Sequence, residues 1–240
     1  MRRWVLITRH HREARPLGAA LAARAIDLVG YPVLREVHAA DENGWQRAAA
    51  CRARMISLLF TSPRAPRHFR QAAEAASLWC ALASLPADAV GPATAHACRE
   101  VGLHVRHVGD SSGATLAGEV AAGLHPGDVV LHPTGRHHRK DAHEVLATRG
   151  AEVLPVVVYD MQESAPDTLP ALPDTTPLAV LLTSPRAAAA YLRGAPPWVR
   201  AAPHFALGAT TGDAAARLGL ESRILPHPDP LLLMEELCLT

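Results

Sequence analysis

The fold is decided by a stretch that occurs twice, as Leu58-Leu59-Phe60-Thr61-Ser62-Pro63-Arg64-Ala65 and as Leu181-Leu182-Thr183-Ser184-Pro185-Arg186-Ala187. Each copy begins with apolar residues that do not alternate with polar ones, which is typical of a parallel strand buried on both faces. Each then reads Ser-Pro, which indicates a helix start, because serine can cap a free backbone N–H and proline needs none at the first helical position. A buried strand that leads into a helix is the repeating unit of a parallel α/β sheet.

The rest of the chain follows the same alternation of short apolar runs and Ala-rich helical stretches. We therefore predict an α/β fold with parallel sheets flanked by helices. The predicted strands are 4–8, 56–61, 89–91, 103–108, 128–132, 153–159, 178–183, 205–208 and 223–225, with extended chain at 31–37. The predicted helices lie around 13–24, 43–53, 64–76, 93–101, 113–122, 137–149, 186–193, 211–218 and 229–239.

Two further blocks also recur along the chain. All the shifts lie near 120 residues and the blocks keep their order, which indicates two similar lobes. The recurring blocks are Gly91-Pro92-Ala93-Thr94 with Gly208-Ala209-Thr210-Thr211, and Val5-Leu6 followed by His10-His11-Arg12 with Val130-Leu131 followed by His137-His138-Arg139.

Length and composition restrict the class of protein. The 240 residues are enough for one large domain or two small ones, and the net charge of +1 argues against a dedicated nucleic-acid binder. The four cysteines form no Cys-x-x-Cys pair, so we expect a reduced, cytoplasmic protein. The apolar run at 4–7 is too short for a signal peptide, and no run approaches 18 apolar residues, so we expect no membrane span.

The turns between strands and helices are the first candidate site. In a parallel sheet they lie at the carboxyl ends of the strands, where ligands bind, and helix N-termini attract anions. The hydroxyls of Ser62, Ser184, Thr94 and Thr211 would add hydrogen-bond donors for a carboxylate. The alternative is that the serines are only good helix caps and that the threonines are only small residues in a first helical turn.

Charged and aromatic residues beyond the strand ends are further candidates. Arg9, Arg64, Arg136 and Arg186 could form a positive rim for a polyanion, or they could be solvated loop charges. Tyr159 ends an apolar run and could donate its phenol proton to a leaving oxygen or a carboxylate. It could equally be an amphipathic residue at a strand edge.

Several common chemistries lack their sequence signatures. The pairs His10-His11 and His137-His138 do not have helical metal-ligand spacing and no cysteine or carboxylate cluster lies near them, so we expect no metal site. The chain contains no Walker loop, no Gly-x-Gly-x-x-Gly after a strand and no Gly-x-Ser-x-Gly elbow. These absences weaken nucleotide, dinucleotide and hydrolase interpretations.

Taken in order, the blocks resemble the uroporphyrinogen-III synthase family over nearly the whole chain. Two blocks depart from the family pattern: His132-Pro133-Thr134-Gly135 is unusual, and Leu182 stands where an aromatic residue is common. The matching blocks are Val5-Leu6-Ile7-Thr8-Arg9 with Tyr31-Pro32, Leu59 to Ala65, Ala89 to Thr94 with Val101-Gly102, Gly150 to Val153 with Val158-Tyr159, and Leu182 to Pro185 with Leu207 to Thr211.

The resemblance implies two α/β lobes of parallel sheet, joined by two strands that cross between them. The first lobe would hold residues 1–34 and 161–240, and the second 38–154. The crossing strands would be 35–37 and 155–160, and the proline-rich segment 162–177 would be a loop.

The resemblance also implies an activity: closure of hydroxymethylbilane, a linear tetrapyrrole with eight carboxylates, to uroporphyrinogen III with inversion of ring D through a spiro intermediate. Tyr159 matches the family's tyrosine and would hydrogen-bond the departing hydroxyl. We expect no cofactor, no metal, no nucleic-acid partner, no membrane partner and a monomer. The expected substrate-binding residues are Arg9, Ser62, Thr94, Gly135, Arg136, Ser184, Thr210 and Thr211.

The competing hypothesis is a non-catalytic module of two lobes that binds a polyanionic small molecule. Incubation with fresh bilane separates the two, because without catalysis the bilane closes with no inversion. A third hypothesis, nucleic-acid binding, predicts strongly salt-dependent affinity.

Overall fold

A computed structural model describes residues 3–110 and 113–238. The chain divides into two compact units. Unit 1 contains the residues up to Arg35 and from Gln162 onward, and unit 2 is Glu36–Met161. The chain leaves unit 1 inside the strand Leu34–His38 and returns to it inside the strand Glu152–Glu163.

The described residues form eleven strands and eleven α-helices, with short 3-10 turns at His11–Ala14, Arg52–Arg54, Pro166–Thr168 and Pro230–Leu232. The strands are β1 (Arg3–Ile7), β2 (Ile26–Gly30), β3 (Leu34–His38), β4 (Met55–Phe60), β5 (Ala87–Val90), β6 (Val105–Gly109), β7 (Val129–Gly135), β8 (Glu152–Glu163), β9 (Ala179–Leu182), β10 (His204–Ala206) and β11 (Arg223–Ile224). The helices are α1 (Arg15–Ala22), α2 (Glu42–Cys51), α3 (Ala65–Ala75), α4 (Trp79–Leu82), α5 (Gly91–Glu100), α6 (Gly113–Ala121), α7 (Asp141–Ala147), α8 (Pro185–Gly194), α9 (Pro197–Arg200), α10 (Ala209–Arg217) and α11 (Leu233–Glu236).

Unit 1 contains a five-stranded parallel sheet with the order β11-β10-β9-β1-β2. Its inner strand β1, between β9 and β2, is buried on both faces: Trp4 and Leu6 pack into one apolar cluster, and Val5 and Ile7 pack into another. This two-sided burial explains why the strand sequence is apolar without alternation.

Unit 2 contains a six-stranded sheet with the order β3-β8-β7-β4-β5-β6, in which β8, β7, β4, β5 and β6 run parallel. Its central strand β4 is also covered on both faces, with Leu58 and Phe60 in one apolar cluster and Leu59 in the other. Because β4, β5 and β7 are parallel, their carboxyl ends all lie at one edge of the sheet. That edge carries the turns described below.

The repeated Gly-x-x-Thr blocks form the same local structure in the two units. Gly91 begins α5 with a φ of +76°, and Gly208 precedes α10 with a φ of +103°. Residues with a side chain rarely adopt this left-handed region, so glycine lets each strand turn directly into its helix. Neither helix start has a side-chain cap hydrogen bond.

Some sequence-based boundaries were wrong. Residues 137–140 were predicted to be helical, but α7 begins only at Asp141, whose Oδ1 accepts the Ala142 N–H at 3.0 Å. The predicted helix 229–239 is a 3-10 turn followed by the single-turn α11, with position 239 outside the described residues. The sequence-based prediction also missed β2, α4 and α9, which are all five residues or shorter.

Ser62 does not cap a helix, as its sequence had suggested. The helix α3 begins at Ala65, and Ser62 Oγ accepts the Arg64 N–H at 3.3 Å within a preceding turn. Ser184 does act as predicted, since its Oγ accepts the Ala187 N–H at 3.1 Å with proline at the first helical position. Across residues 3–110 and 113–238, each helix is too short or too polar to cross a lipid bilayer.

Candidate functional site

A cavity of about 330 Å³ opens at the carboxyl edge of the unit 2 sheet. Its walls come from the ends of β4, β5 and β7, from Tyr159 within β8, from the loop 137–139 and from the starts of α6 and α7. This is where ligands bind in parallel α/β sheets. The polar residues of its wall that matter below are Thr61, Ser62, Thr134, His138, Asp141 and Tyr159.

Tyr159 is held in the cavity wall by its backbone, its ring and its hydroxyl. In the register of β7 with β8 it lies opposite Gly135, and the Tyr159 carbonyl accepts the Arg136 N–H at 3.0 Å. Its hydroxyl donates to Ser62 Oγ at 3.1 Å. The tyrosine is half-buried, so its hydroxyl is fixed without being sealed in the core.

The Tyr159 ring is positioned by contacts on Gly135 and His68. A Cβ at Gly135 would lie 2.7 Å from Tyr159 Cζ, so only glycine leaves room for the ring there. The imidazole of His68 stacks on the ring with centroids 5.8 Å apart and an interplanar angle of 22°. We had predicted Gly135 as a substrate contact, and its packing role was not foreseen.

Glu36 anchors the residues behind this ring stack. Its carboxylate accepts from His68 Nε2 at 2.6 Å, from Arg67 Nη2 at 2.9 Å and pairs with Arg64 Nε at 3.1 Å. Three donors on one carboxylate tie β3 to the first turns of α3. The His68 ring that stacks on Tyr159 is therefore held in place by the hydrogen bonds between α3 and Glu36.

A buried histidine lies on the other side of the Thr61-Ser62 turn. His132, in β7, is 1% exposed, and its Nε2 lies 3.1 Å from Thr61 Oγ1 while its Nδ1 lies 2.7 Å from His143 Nε2. Burial, together with the nearby His143 and His138, lowers the pKa of His132 to about 3. His132 is therefore neutral near pH 7, and one of its ring nitrogens donates while the other accepts.

His138 also lies in the cavity wall, and its Nδ1 lies 3.1 Å from the Gly135 carbonyl oxygen. Because a carbonyl only accepts, Nδ1 carries the proton, which leaves Nε2 as an acceptor in the neutral ring. Within the part of the chain that the structure describes, no group of three or more His, Cys, Asp or Glu side chains could hold a metal ion.

Arg136, predicted as a substrate-binding residue, lies just beyond β7 and next to Tyr159. Its Nε donates to Asp160 Oδ2 at 3.2 Å, and about half of its side chain is exposed. Thr94 is the fourth residue of α5 and is 2% exposed. Among the described residues, Thr94 is not part of the cavity wall, so the structure does not bring it together with Ser62 and Tyr159.

The remaining predicted residues belong to unit 1. Arg9 follows β1 and is half-buried, and Ser184 caps α8. Thr210 and Thr211 lie in the first turn of α10, the first exposed and the second buried. A pair of hydroxyls that we had not predicted joins the ends of β1 and β9, with Thr8 Oγ1 3.1 Å from Thr183 Oγ1.

The cavity wall contains polar residues that were not predicted as site residues, namely Thr61, Thr134, His137, His138, Arg139 and Asp141. Thr61 could have been found, because the repeat places a threonine at the end of both central strands. The hydroxyls, the two imidazoles and the one guanidinium, of Arg139, outnumber the single carboxylate of Asp141 in this wall. Such a wall can donate hydrogen bonds to a ligand rich in acceptor oxygens.

The sequence model of the family described as "Uroporphyrinogen-III synthase HemD" matches residues 16–231. Among solved structures, the uroporphyrinogen-III synthetase from Helicobacter pylori 26695 is similar with a TM-score of 0.71 and 17% identity, covering 100% of both chains. A mutant uroporphyrinogen III synthase from the extremely thermophilic bacterium Thermus thermophilus has a TM-score of 0.58 and 19% identity, covering 98% of this chain and 96% of that one. No curated protein matches the chain. The structural likenesses confirm the predicted fold class.

The close approach of Gly135 to Tyr159 gives a test of the site geometry. We expect Gly135→Ala to push the Tyr159 ring aside, to break its hydrogen bond to Ser62 and to lower the free energy of unfolding by about 1–3 kcal/mol. Urea unfolding and a crystal structure of the variant measure both effects.

The matched control is Gly118→Ala in α6, where a new Cβ meets nothing within 4 Å. This change should raise the free energy of unfolding by about 0.5–1 kcal/mol, because alanine favours a helix. An unmoved Tyr159 ring in the Gly135→Ala variant would contradict the described packing.

Proposed function

The chain belongs to the uroporphyrinogen-III synthase family, and from this premise we propose that it closes hydroxymethylbilane to uroporphyrinogen III with inversion of ring D. It is a lyase that cyclises hydroxymethylbilane in tetrapyrrole biosynthesis. The geometric observation that supports the proposed inversion of ring D is that Tyr159 lines the cavity and that its hydroxyl donates to Ser62.

Tyr159 assists the departure of the hydroxyl on ring A. The C–O bond breaks, the oxygen takes a proton from the phenol and leaves as water, and electrons of ring A form the azafulvene. Ser62 supports this role because its Oγ already accepts the Tyr159 hydrogen along a 3.1 Å contact. The departing oxygen replaces Ser62 as the acceptor of that hydrogen.

Inversion of ring D follows from the carbon that attacks. Ring D attacks the azafulvene through its already substituted carbon, which forms a spiro intermediate. The older bond, which joins that carbon to the bridge from ring C, then breaks, and the freed bridge carbon bonds to the other, unsubstituted α carbon of ring D. The proton that ring D finally loses balances the proton given to water, so the phenol is restored. The protein's task is to hold the reacting ends in one geometry.

The cavity suits one ring of the substrate with its acid side chains. Its volume of about 330 Å³ is at the lower end of the range of about 300–1,000 Å³ that holds drug-sized ligands. The wall supplies hydroxyl, imidazole and arginine donors, with Asp141 as its one carboxylate. An acid side chain of the substrate is a suitable acceptor for such donors.

The helix starts carry the remaining carboxylate contacts. Neither α5 nor α10 has a side-chain cap, so an anion can accept from backbone N–H groups of each first turn, except at Pro92, which has no N–H, and at Thr211, whose N–H donates to the Gly208 carbonyl. Thr94 and Thr211 lie in these first turns, with Thr210 beside Thr211. Arg9, Arg136 and Ser184 complete the proposed binding set.

The protein works on this small molecule as a cytoplasmic monomer, without a cofactor, a metal, a nucleic acid or a membrane partner. The near-zero net charge supports the absence of a nucleic-acid partner, and the absence of paired cysteine motifs in the sequence supports the cytoplasmic location.

The isomer of the product tests the proposal. Incubation of the protein with fresh hydroxymethylbilane should give uroporphyrinogen III, resolved from isomer I by chromatography. The control is the same incubation with heat-denatured protein, which should give isomer I. Isomer I alone with the native protein would contradict the proposal and favour the non-catalytic polyanion-binding module.

Loss of the Tyr159 hydroxyl should slow turnover. We expect Tyr159→Phe to lower kcat about tenfold to a hundredfold, equal to about 1–3 kcal/mol in the barrier, with the unfolding temperature nearly unchanged. The matched control is Tyr31→Phe, which removes the hydroxyl of a tyrosine that is buried in the core of unit 1. Unchanged kcat in Tyr159→Phe, or an equal loss in Tyr31→Phe, would exclude the acid role.

The threonines of the two helix starts should contribute to binding. We expect Thr94→Ala and Thr211→Ala each to raise the Kd for uroporphyrinogen III about threefold to tenfold, because each loses one hydroxyl donor. Thr148→Ala is the control, since the Thr148 hydroxyl is exposed and donates to the Val145 carbonyl. Calorimetric titration gives the three constants. Normal binding by both Thr94→Ala and Thr211→Ala would show that the helix starts do not bind the carboxylates.

A further inference from the structure

His132 is an unusual residue for the interior of a parallel sheet. It lies in β7 between the buried residues Leu131 and Pro133, and it is 1% exposed. Burial of an imidazole is costly unless both ring nitrogens find partners. Both do, at Thr61 Oγ1 and at His143 Nε2, so the three side chains form one continuous hydrogen-bonded row.

This row can run in two directions. In the first, His143 Nε2–H donates to His132 Nδ1, His132 Nε2–H donates to Thr61 Oγ1, and the Thr61 hydroxyl hydrogen is free for another acceptor. In the second, Thr61 donates to His132 Nε2, and His132 Nδ1–H donates to His143. A neutral imidazole has one N–H, so each direction satisfies both contacts.

The direction decides what Thr61 offers to the cavity that it lines. In the first direction the Thr61 hydroxyl can donate to a ligand, and in the second it offers only lone pairs. A substrate carboxylate accepts hydrogen bonds, so it pairs with Thr61 in the first direction alone. Hydrogen bonds to a charged acceptor are about twice as strong as neutral ones, which makes the choice energetically significant.

We propose that His132 and His143 are positioning residues that hold the Thr61 hydroxyl as a hydrogen-bond donor for a substrate carboxylate. The proposal rests on the proposed function, because it assumes an acidic ligand in this cavity. His143 is half-buried at the surface end of the row, and it selects the direction through its own N–H.

Groups around the row keep His132 neutral. The His138 ring centroid lies 5.7 Å from that of His132 and 5.5 Å from that of His143, so a positive charge on one ring disfavours charge on the others. Burial lowers the pKa of His143 most, His138 and Lys140 lower it further, and Asp141 opposes them. His143 can therefore set the direction of the hydrogen bond between His132 and Thr61 while His132 stays uncharged.

Two nearly isosteric changes at His143 test the direction. His143→Gln keeps an N–H that can donate to His132 Nδ1, so the Kd for uroporphyrinogen III should stay within about threefold of the wild type. In His143→Glu the carboxylate only accepts, so the proton of the neutral His132 ring moves to Nδ1. His132 Nε2 then accepts from Thr61, and the Thr61 hydrogen is no longer available to the ligand. We expect its Kd and its KM to rise about tenfold to a hundredfold, with kcat changed less than about threefold.

The added negative charge of His143→Glu is controlled through Thr61. Thr61→Val should raise Kd as much as His143→Glu does, and Thr61→Ser should restore it. The double variant of His143→Glu with Thr61→Val should bind no more than about twofold worse than Thr61→Val alone. If the two losses multiply instead, charge repulsion explains the effect and the proposal is overturned.

The position of the His132 proton is read directly from ¹⁵N chemical shifts of the imidazole. With uroporphyrinogen III bound, the proton should be on Nε2 in the wild type and in His143→Gln, and on Nδ1 in His143→Glu. A proton on Nδ1 in the ligand-bound wild type would overturn the proposal. The Kd values and the ¹⁵N shifts need binding only, whereas the product isomer of the wild type reports on the proposed function, so failure of one is distinguishable from failure of the other.

Discussion

The parallel register of β7 with β8 is the constraint on which the site depends. It places Gly135 opposite Tyr159, and the absent side chain of Gly135 is what lets the phenol ring lie across the strand end. From that position the Tyr159 hydroxyl reaches Ser62, which comes from the end of β4, on the far side of β7. The ends of β4 and β7 thus meet the phenol of Tyr159, which lies within β8, because parallel strands finish at the same edge of a sheet.

The polar groups around that phenol are fixed by partners within unit 2 before any ligand arrives. Glu36 collects donors from α3 and supports the His68 ring on Tyr159, while His132 joins Thr61 to His143. A polar group that is already oriented needs little reorganisation when charge develops in a ligand. This preorganisation is the contribution that a protein can make to this reaction, because without catalysis the bilane closes with no inversion of ring D.

The fold and part of the site could be predicted from the sequence because their signals are local. The run Leu58-Leu59-Phe60 marks a doubly buried strand, and Gly91 and Gly208 mark abrupt strand-to-helix turns. The prediction that Ser62 caps a helix was wrong, because α3 begins only at Ala65, and the Ser62 hydroxyl also accepts from Tyr159, nearly a hundred residues away in the chain. Contacts of that kind, and the row through His132, arise from strand order, which no local pattern encodes.

A structure of the chain with uroporphyrinogen III bound tests the central claim most directly, namely that the chemistry takes place at the carboxyl edge of the unit 2 sheet. The account predicts ligand atoms in the cavity, with the Tyr159 hydroxyl within hydrogen-bond distance of the ligand and a carboxylate on the Thr61 hydroxyl. A ligand bound elsewhere, with the Tyr159 hydroxyl still donating to Ser62 alone, would contradict it.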